Sequence, residues 1–249
     1  MDFEYLTHLV AGAGCRMDEF ETRFKGCECA EACLASTNCS CLLYKKDTYI
    51  EGTYLIESAL DVPAVECGDE CACAFKEGAC NNRCIQRPVT LPLEVFATQH
   101  KGNGLRCKER IEKGRFVIEY IGEVIGPEEV QRRASSSTNY VLTVKEYFGL
   151  GSAEGEGCSR NTYIDPSRRG NLARFINHSC SPNLRLVAIR IGSPLVHVGL
   201  FAKKDISPFE ELTYDYGKSL LAASLNGKPC YCASNNCRGF LPASATATS

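Results

Sequence analysis

The chain has 249 residues, 44% of them hydrophobic, enough to bury a substantial core in one large or two small domains, which excludes a disordered polypeptide. A net charge of −2 excludes a protein that grips nucleic acid through bulk positive charge. The anomaly is seventeen cysteines, an odd total that cannot all pair as disulfides.

Residues 1–26 read as a short polar lead with an isolated Cys15. Asp2 and Glu4 stand where a secretory leader would be basic and then apolar, so no signal peptide is expected. The sequence also has no run of ~18 apolar residues, so no membrane association is expected. A reducing compartment is expected, where clustered cysteines bind metal, and a disulfide-rich extracellular protein is the alternative.

Residues 27–88 form a cysteine-rich region with few apolar runs, which metal rather than a core must order. The ligand candidates are Cys27, Cys29, Cys33, Cys39, Cys41, Cys67, Cys71, Cys73 and Cys80, with no histidine among them. Nine thiolates satisfy three tetrahedral zinc ions: twelve zinc–sulfur bonds are supplied by six terminal and three bridging ligands. Two separate four-thiolate sites with a spare thiol are the alternative. Nine thiolates against six positive charges call for cations or backbone N–H groups around the cluster. Cys84, the tenth cysteine of the region, reads as a free buried thiol.

Residues 89–218 read as a mostly β domain of many short strands. Runs at 116–121, 140–144 and 195–201 are β-branched and aromatic, and glycine and proline punctuate them. Residues 128–133 follow Pro127 and predict one short helix with a solvated face. No βαβ rhythm and no glycine-rich phosphate loop is present. Residues 149–157, rich in glycine and acid, predict a surface insertion. His8, His100 and His197 read as surface or strand residues, and Cys107 and Cys158 as free thiols.

The tail, residues 226–242, holds Cys230, Cys232 and Cys237. Three soft ligands need a fourth, and Cys180 can supply it, closing a structural zinc site that pins the tail over residues 174–178. Residues 243–249 are small and polar and are expected to fray.

These residues resemble the SET-domain histone lysine methyltransferases of the suppressor-of-variegation group. The resemblance rests on the cysteine order above and on Lys101-Gly102-Asn103-Gly104-Leu105-Arg106. It rests also on Glu119-Tyr120-Ile121-Gly122-Glu123, Arg174-Phe175-Ile176-Asn177-His178-Ser179-Cys180, Glu211-Leu212-Thr213-Tyr214-Asp215-Tyr216-Gly217, and the final Cys-x-Cys-x4-Cys. It implies a SET fold of small β-sheets with a pseudoknot at Asn177-His178, one of the exceptions to unthreaded connections. A pre-SET zinc cluster would precede it and a post-SET zinc tail would follow it. It implies S-adenosylmethionine held by Lys101, Gly102, Asn103, Gly104, Tyr140, Arg174, Asn177 and His178. Tyr120 and Tyr216 would line the target-lysine channel, and Tyr214 would govern how many methyl groups fit. Two departures stand out: family members often carry tryptophan at Asn103, and the gap from Cys73 to Cys80 is longer than usual.

Methyl transfer to lysine needs a neutral amine, although a free lysine with a pKa near ~10.4 is protonated at neutral pH. An apolar channel beside a sulfonium favours the neutral form, so no carboxylate base is required. Tyrosines suit such a channel because the ring excludes water while the hydroxyl orients the amine. The expected activity is mono- or dimethylation of a histone H3 tail or nucleosome by a nuclear, chromosomal, monomeric enzyme without sequence-specific nucleic-acid binding. A non-catalytic chromatin scaffold and a non-histone substrate are the alternatives.

Overall fold

A computed structural model describes residues 3–29, 32–42, 46–58, 64–75, 80–134, 140–148, 158–217 and 228–242. The expected insertion at 149–157 and the terminus at 243–249 lie outside these residues.

The described chain is built from short strands, as its punctuation predicts. The four-stranded sheet runs, from edge to edge, Ala64–Glu66, Leu184–Ile191, Val196–Ala202 and Phe116–Glu119. Val196–Ala202 lies inside this sheet and is buried along nearly its whole length, with His197 its one polar residue, paired with Glu119. Val117, Leu200 and Phe201 are fully enclosed. Ala64–Glu66 pairs in parallel with Leu184–Ile191, so the cysteine-rich region is stitched to the domain by a shared sheet as well as by contacts between side chains.

Glu66 reinforces that seam. Its buried carboxylate accepts the Cys84 and Ile85 amides at 2.9 and 3.0 Å and Gln86 Nε2 at 2.8 Å, leaving little of its hydrogen-bonding capacity unmet. At the same seam Gly192, with φ of +56°, comes so close to Gly68 that an added Cβ would lie 2.9 Å from the Gly68 Cα. Both the left-handed backbone and the approach require glycine there.

The second large sheet orders Glu4–Tyr5, Cys158–Gly170, Gly122–Ile125 and Val10–Ala11, with Leu142–Phe148 pairing along Cys158–Gly170. The polar lead thus contributes two strands, each parallel to its neighbour. The predicted helix forms over Pro127–Ala134, with proline at its start, Glu128 and Glu129 in the first turn and Arg132 and Arg133 in the last, the polarity that suits the helix dipole. A two-stranded parallel ribbon joins Asn177–His178 to Thr213–Tyr214 and brings the two site motifs side by side.

Candidate active site and metal centres

Three phenols meet where these elements converge. Tyr120 follows the strand Phe116–Glu119, Tyr214 ends the parallel ribbon, and Tyr216 lies just beyond it. The Tyr120 and Tyr214 rings pack edge to face at 6.4 Å, and the Tyr214 and Tyr216 rings lie 4.7 Å apart. The Tyr120 hydroxyl donates to the Tyr140 carbonyl at 2.7 Å, and the Tyr216 hydroxyl donates to the Ile176 carbonyl at 2.9 Å. Tyr216 leaves 43% of its surface open, yet its hydroxyl is turned inward. Burial pushes all three phenols above their ordinary range. They are neutral hydrogen-bond donors at any physiological pH, and not phenolate bases.

Beside them the chain Asn171 to His178 forms a second wall. Asn171 shapes its entry, accepting the Ala173 amide at 3.2 Å and donating to the Glu119 carbonyl at 2.8 Å. The Arg174 guanidinium stacks between Phe3 and Tyr140, 4.5 and 4.6 Å from their ring centres. Its Nε is buried and, among the described residues, has no hydrogen-bond partner. Asn177 Nδ2 donates to the Asn103 carbonyl at 3.0 Å and to Glu211 Oε1 at 2.9 Å, while Lys101 Nζ reaches Glu211 Oε2 at 2.5 Å. Glu211 therefore ties the turn at 101–104 to Asn177. Gly102 in that turn has φ of +69° and open space where a side chain would begin.

A sulfonium donor that also carries a carboxylate fits this arrangement. Arg174 offers an unsatisfied buried N–H, Lys101 a second cation, and the open turn at Gly102 lets the backbone approach a ligand closely.

The nine cysteines gather into one core of their own. Cys27, Cys29, Cys33 and Cys39 have sulfurs mutually within 4.8 Å, as do Cys33, Cys67, Cys73 and Cys80. Cys27, Cys67 and Cys71 form part of a third group, and Cys41 joins them at 3.5 Å from Cys71. The Asn82 amide at 3.5 Å from Cys67 and the Cys27 N–H at 3.4 Å from Cys71 donate to these sulfurs, and Arg83 lies beside Cys73. Cys84 stands apart, buried with Tyr49, Phe116 and Phe201 in the neighbouring core.

The tail closes a second centre. Cys180, Cys230, Cys232 and Cys237 place their sulfurs within 4.8 Å of one another, with Cys180 and Cys230 at 4.0 Å. Both thiol sets have the composition and spacing of tetrahedral zinc sites. Tyr231, between two of these cysteines, lays its ring 5.1 Å from His100, next to the turn at 101–104.

The structure brings the expected residues into four groups: the phenols, the segment from 174 to 178 with the turn at 101–104, the tail thiols that meet them, and the nine cysteines in a core of their own. Asn103 is exposed, and its backbone carbonyl rather than its side chain meets Asn177. Residues the sequence reading passed over are Glu211, Asn171, Phe3 and Arg238. Glu211 lies in a motif already quoted and Arg238 directly follows a cysteine of the tail thiol group, so adjacency was the available signal. Phe3 gave none, because its partner is 171 positions away in sequence.

The SET domain family matches residues 102–217. The probable histone-lysine N-methyltransferase set-23 of Caenorhabditis elegans is 41% identical, with 99% of each chain covered. The methyltransferase domain of human histone-lysine N-methyltransferase SETMAR superposes with a TM-score of 0.80 at 38% identity, covering 96% of this chain and 89% of that one. KRYPTONITE, solved with mCHH DNA, an H3(1-15) peptide and SAH, superposes with a TM-score of 0.74 at 31% identity, covering 96% of this chain and 48% of that one.

Proposed function

The chain belongs to the SET-domain family of histone-lysine N-methyltransferases, and on that premise we propose how its residues perform the reaction. It is an S-adenosylmethionine-dependent protein-lysine methyltransferase that acts on histone H3. The finer reading assigns it a tail lysine and products limited to mono- and dimethyl-lysine. When bound, S-adenosylmethionine supplies an electrophilic methyl group on a positive sulfur.

The chain's own residues do the rest. Arg174 with its free Nε, Lys101, the turn Gly102-Asn103-Gly104, Tyr140, Asn177 and His178 hold the donor. Tyr120, Tyr214 and Tyr216 wall a narrow apolar channel, exclude water and so favour an uncharged lysine amine. Tyr216 orients the amine, with its hydroxyl steadied on the Ile176 carbonyl. Holding amine, methyl and sulfur in line can supply several kcal/mol of the barrier without a base. Tyr214 leaves room for a water and not for a third methyl group. The edge of Leu142–Phe148 away from Cys158–Gly170, to which no other strand pairs among the described residues, suits an H3 peptide added as a strand.

Zinc fits the sulfurs as follows. Cys27, with its sulfur 3.8 Å from Cys33 and 3.9 Å from Cys67, would share metal with those two, and Cys29, Cys39, Cys41, Cys71, Cys73 and Cys80 would each serve one ion. Cys180, Cys230, Cys232 and Cys237 would hold a further zinc. All are structural, since no coordination position is left open. The histone substrate suits a nuclear, chromosomal protein working as a monomer.

The observation that carries this reading is the trio of packed phenols, Tyr120 and Tyr214 buried and Tyr216 with its hydroxyl turned inward, beside an arginine whose Nε has no partner among the described residues. One feature favours the rival, a scaffold that has lost the reaction: Asn103 presents no aromatic face to a donor. Calorimetry with S-adenosylhomocysteine, paired with a labelled-methyl assay on histone peptides, separates the two. Binding with transfer supports the enzyme, and absence of both supports the scaffold.

A further inference from the structure

Arg238 sits where the metal-held tail meets the catalytic tyrosines. Its Nη2 donates to Asp215 Oδ1 at 2.6 Å and its Nη1 to the Gly217 carbonyl at 3.0 Å. Its amide and its Nε each donate to Cys180 Sγ at 3.4 Å. Asp215 and Gly217 flank Tyr216, and Asp215 Oδ1 also accepts the Gly217 amide at 3.0 Å. One side chain therefore grips the chain on both sides of Tyr216 while resting on the sulfur that anchors the tail. Its side chain is only 33% exposed.

From this geometry we infer that Arg238 is a positioning residue for Tyr216, making the placement of that phenol conditional on a closed tail. The inference rests on the methyltransferase reading and deepens it. The physical reason lies in the guanidinium fork. A planar group with five donors can serve a carboxylate, a carbonyl and a thiolate at once, whereas an ammonium serves chiefly as a point charge. Gly217, at φ of +116°, is a joint that L side chains rarely occupy, so its orientation depends on outside contacts such as this one. With Arg238 absent, the Tyr216 hydroxyl would lose the outer support that keeps it aimed at the Ile176 carbonyl. A misplacement near 1 Å at a reacting centre costs on the order of 100-fold in rate.

The test compares the full zinc-loaded chain with Arg238→Ala and Arg238→Lys. Four quantities are read: zinc per chain, affinity for S-adenosylhomocysteine, kcat and KM on an H3 peptide, and amide hydrogen exchange over residues 214–217 and 230–237. Arg238→Ala should keep its zinc and bind the cofactor product while kcat falls by about 10-fold or more and peptide KM changes by less than about 3-fold, the split expected when alignment and not binding is lost. Arg238→Lys should recover part of the lost kcat through Asp215. Exchange should quicken at residues 215–217 and stay unchanged at 230–237.

Wild-type kcat and wild-type protection in zinc-replete Arg238→Ala would overturn the inference. So would loss of zinc from that variant, which would make Arg238 a support of the metal site instead. An inactive wild type defeats the methyltransferase reading, and the exchange comparison still decides the role of Arg238.

Discussion

The Tyr216 amide donates to His178 Nδ1 at 3.2 Å, and the two rings lie 5.3 Å apart. Accepting that hydrogen requires a neutral imidazole, whose Nε2 lies 3.4 Å from Cys180 Sγ and 3.3 Å from Arg238 Nη2. Burial, the largest influence on His178, lowers its pKa and favours this neutral form. The backbone of Tyr216 is thereby connected, through one histidine, to a sulfur of the tail thiol centre.

Replacing Tyr216 with phenylalanine removes the hydroxyl and keeps the ring packed on Tyr214. Turnover should fall by about 100-fold or more, the scale of a positioned hydrogen-bonding group in a transition state. Calorimetric affinity for S-adenosylhomocysteine should stay within about 3-fold, because the ring and the Arg174 segment remain. Full activity in a labelled-methyl assay would refute the role given to that hydroxyl.

Tyr214→Phe addresses product number. Tyr214 is fully enclosed against Tyr120, so removing its hydroxyl frees space for one more methyl group. Mass spectra of the product should shift from mono- and dimethyl-lysine to include trimethyl-lysine. Mainly trimethylated product from the unmodified enzyme would contradict the assignment.

The tail centre should be separable from the cluster. Cys237→Ala removes a ligand close to the surface, whereas Cys27 and Cys67 of the cluster are buried. Metal analysis should show loss of one zinc of about four, with retained folding and a kcat lowered by about 10-fold or more as the tail opens. A variant that loses zinc from the tail and keeps full activity would show that the tail is not part of the active-site wall.

Acid stability should report on the helix Pro127–Ala134. Arg132 first, and then Arg133, hold the Glu129 carboxyl down to about 2, through contacts of 2.5–2.6 Å. A carboxylate with a depressed folded pKa stabilises above its unfolded value near ~4.3, and that contribution disappears as pH falls through the folded value. Glu129→Gln should therefore lower the melting temperature at neutral pH and flatten its decline between pH ~4 and ~2. Parallel melting curves for the two proteins across that window would show that the ion pairs contribute nothing.

Much of the site was legible because chemistry that depends on short motifs leaves them in the sequence. Cysteine spacing gave the thiol centres, including the pairing of distant Cys180 with the tail. The β-branched and aromatic run at 195–201 announced a strand, which forms over Val196–Ala202. What sequence could not give was partnership across distance. The lead looked merely polar because two-residue strands such as Glu4–Tyr5 carry no periodicity, and only the register against Arg169 and Gly170 reveals them. Glu211 and Arg238 read as ordinary charged residues, since their roles come from what the folded chain sets beside them: Lys101 and Asn177 for the first, Asp215 and Cys180 for the second. Asn103 is the local departure whose consequence depends on the donor itself.

Lysine methylation of histone H3 is tested most directly by incubating the zinc-loaded protein with S-adenosylmethionine and a panel of H3 tail peptides, with products read by tandem mass spectrometry. The expected result is one modified lysine carrying one or two methyl groups, formed in step with S-adenosylhomocysteine. Unmodified peptides throughout, from protein that has its zinc and binds S-adenosylhomocysteine, would contradict it.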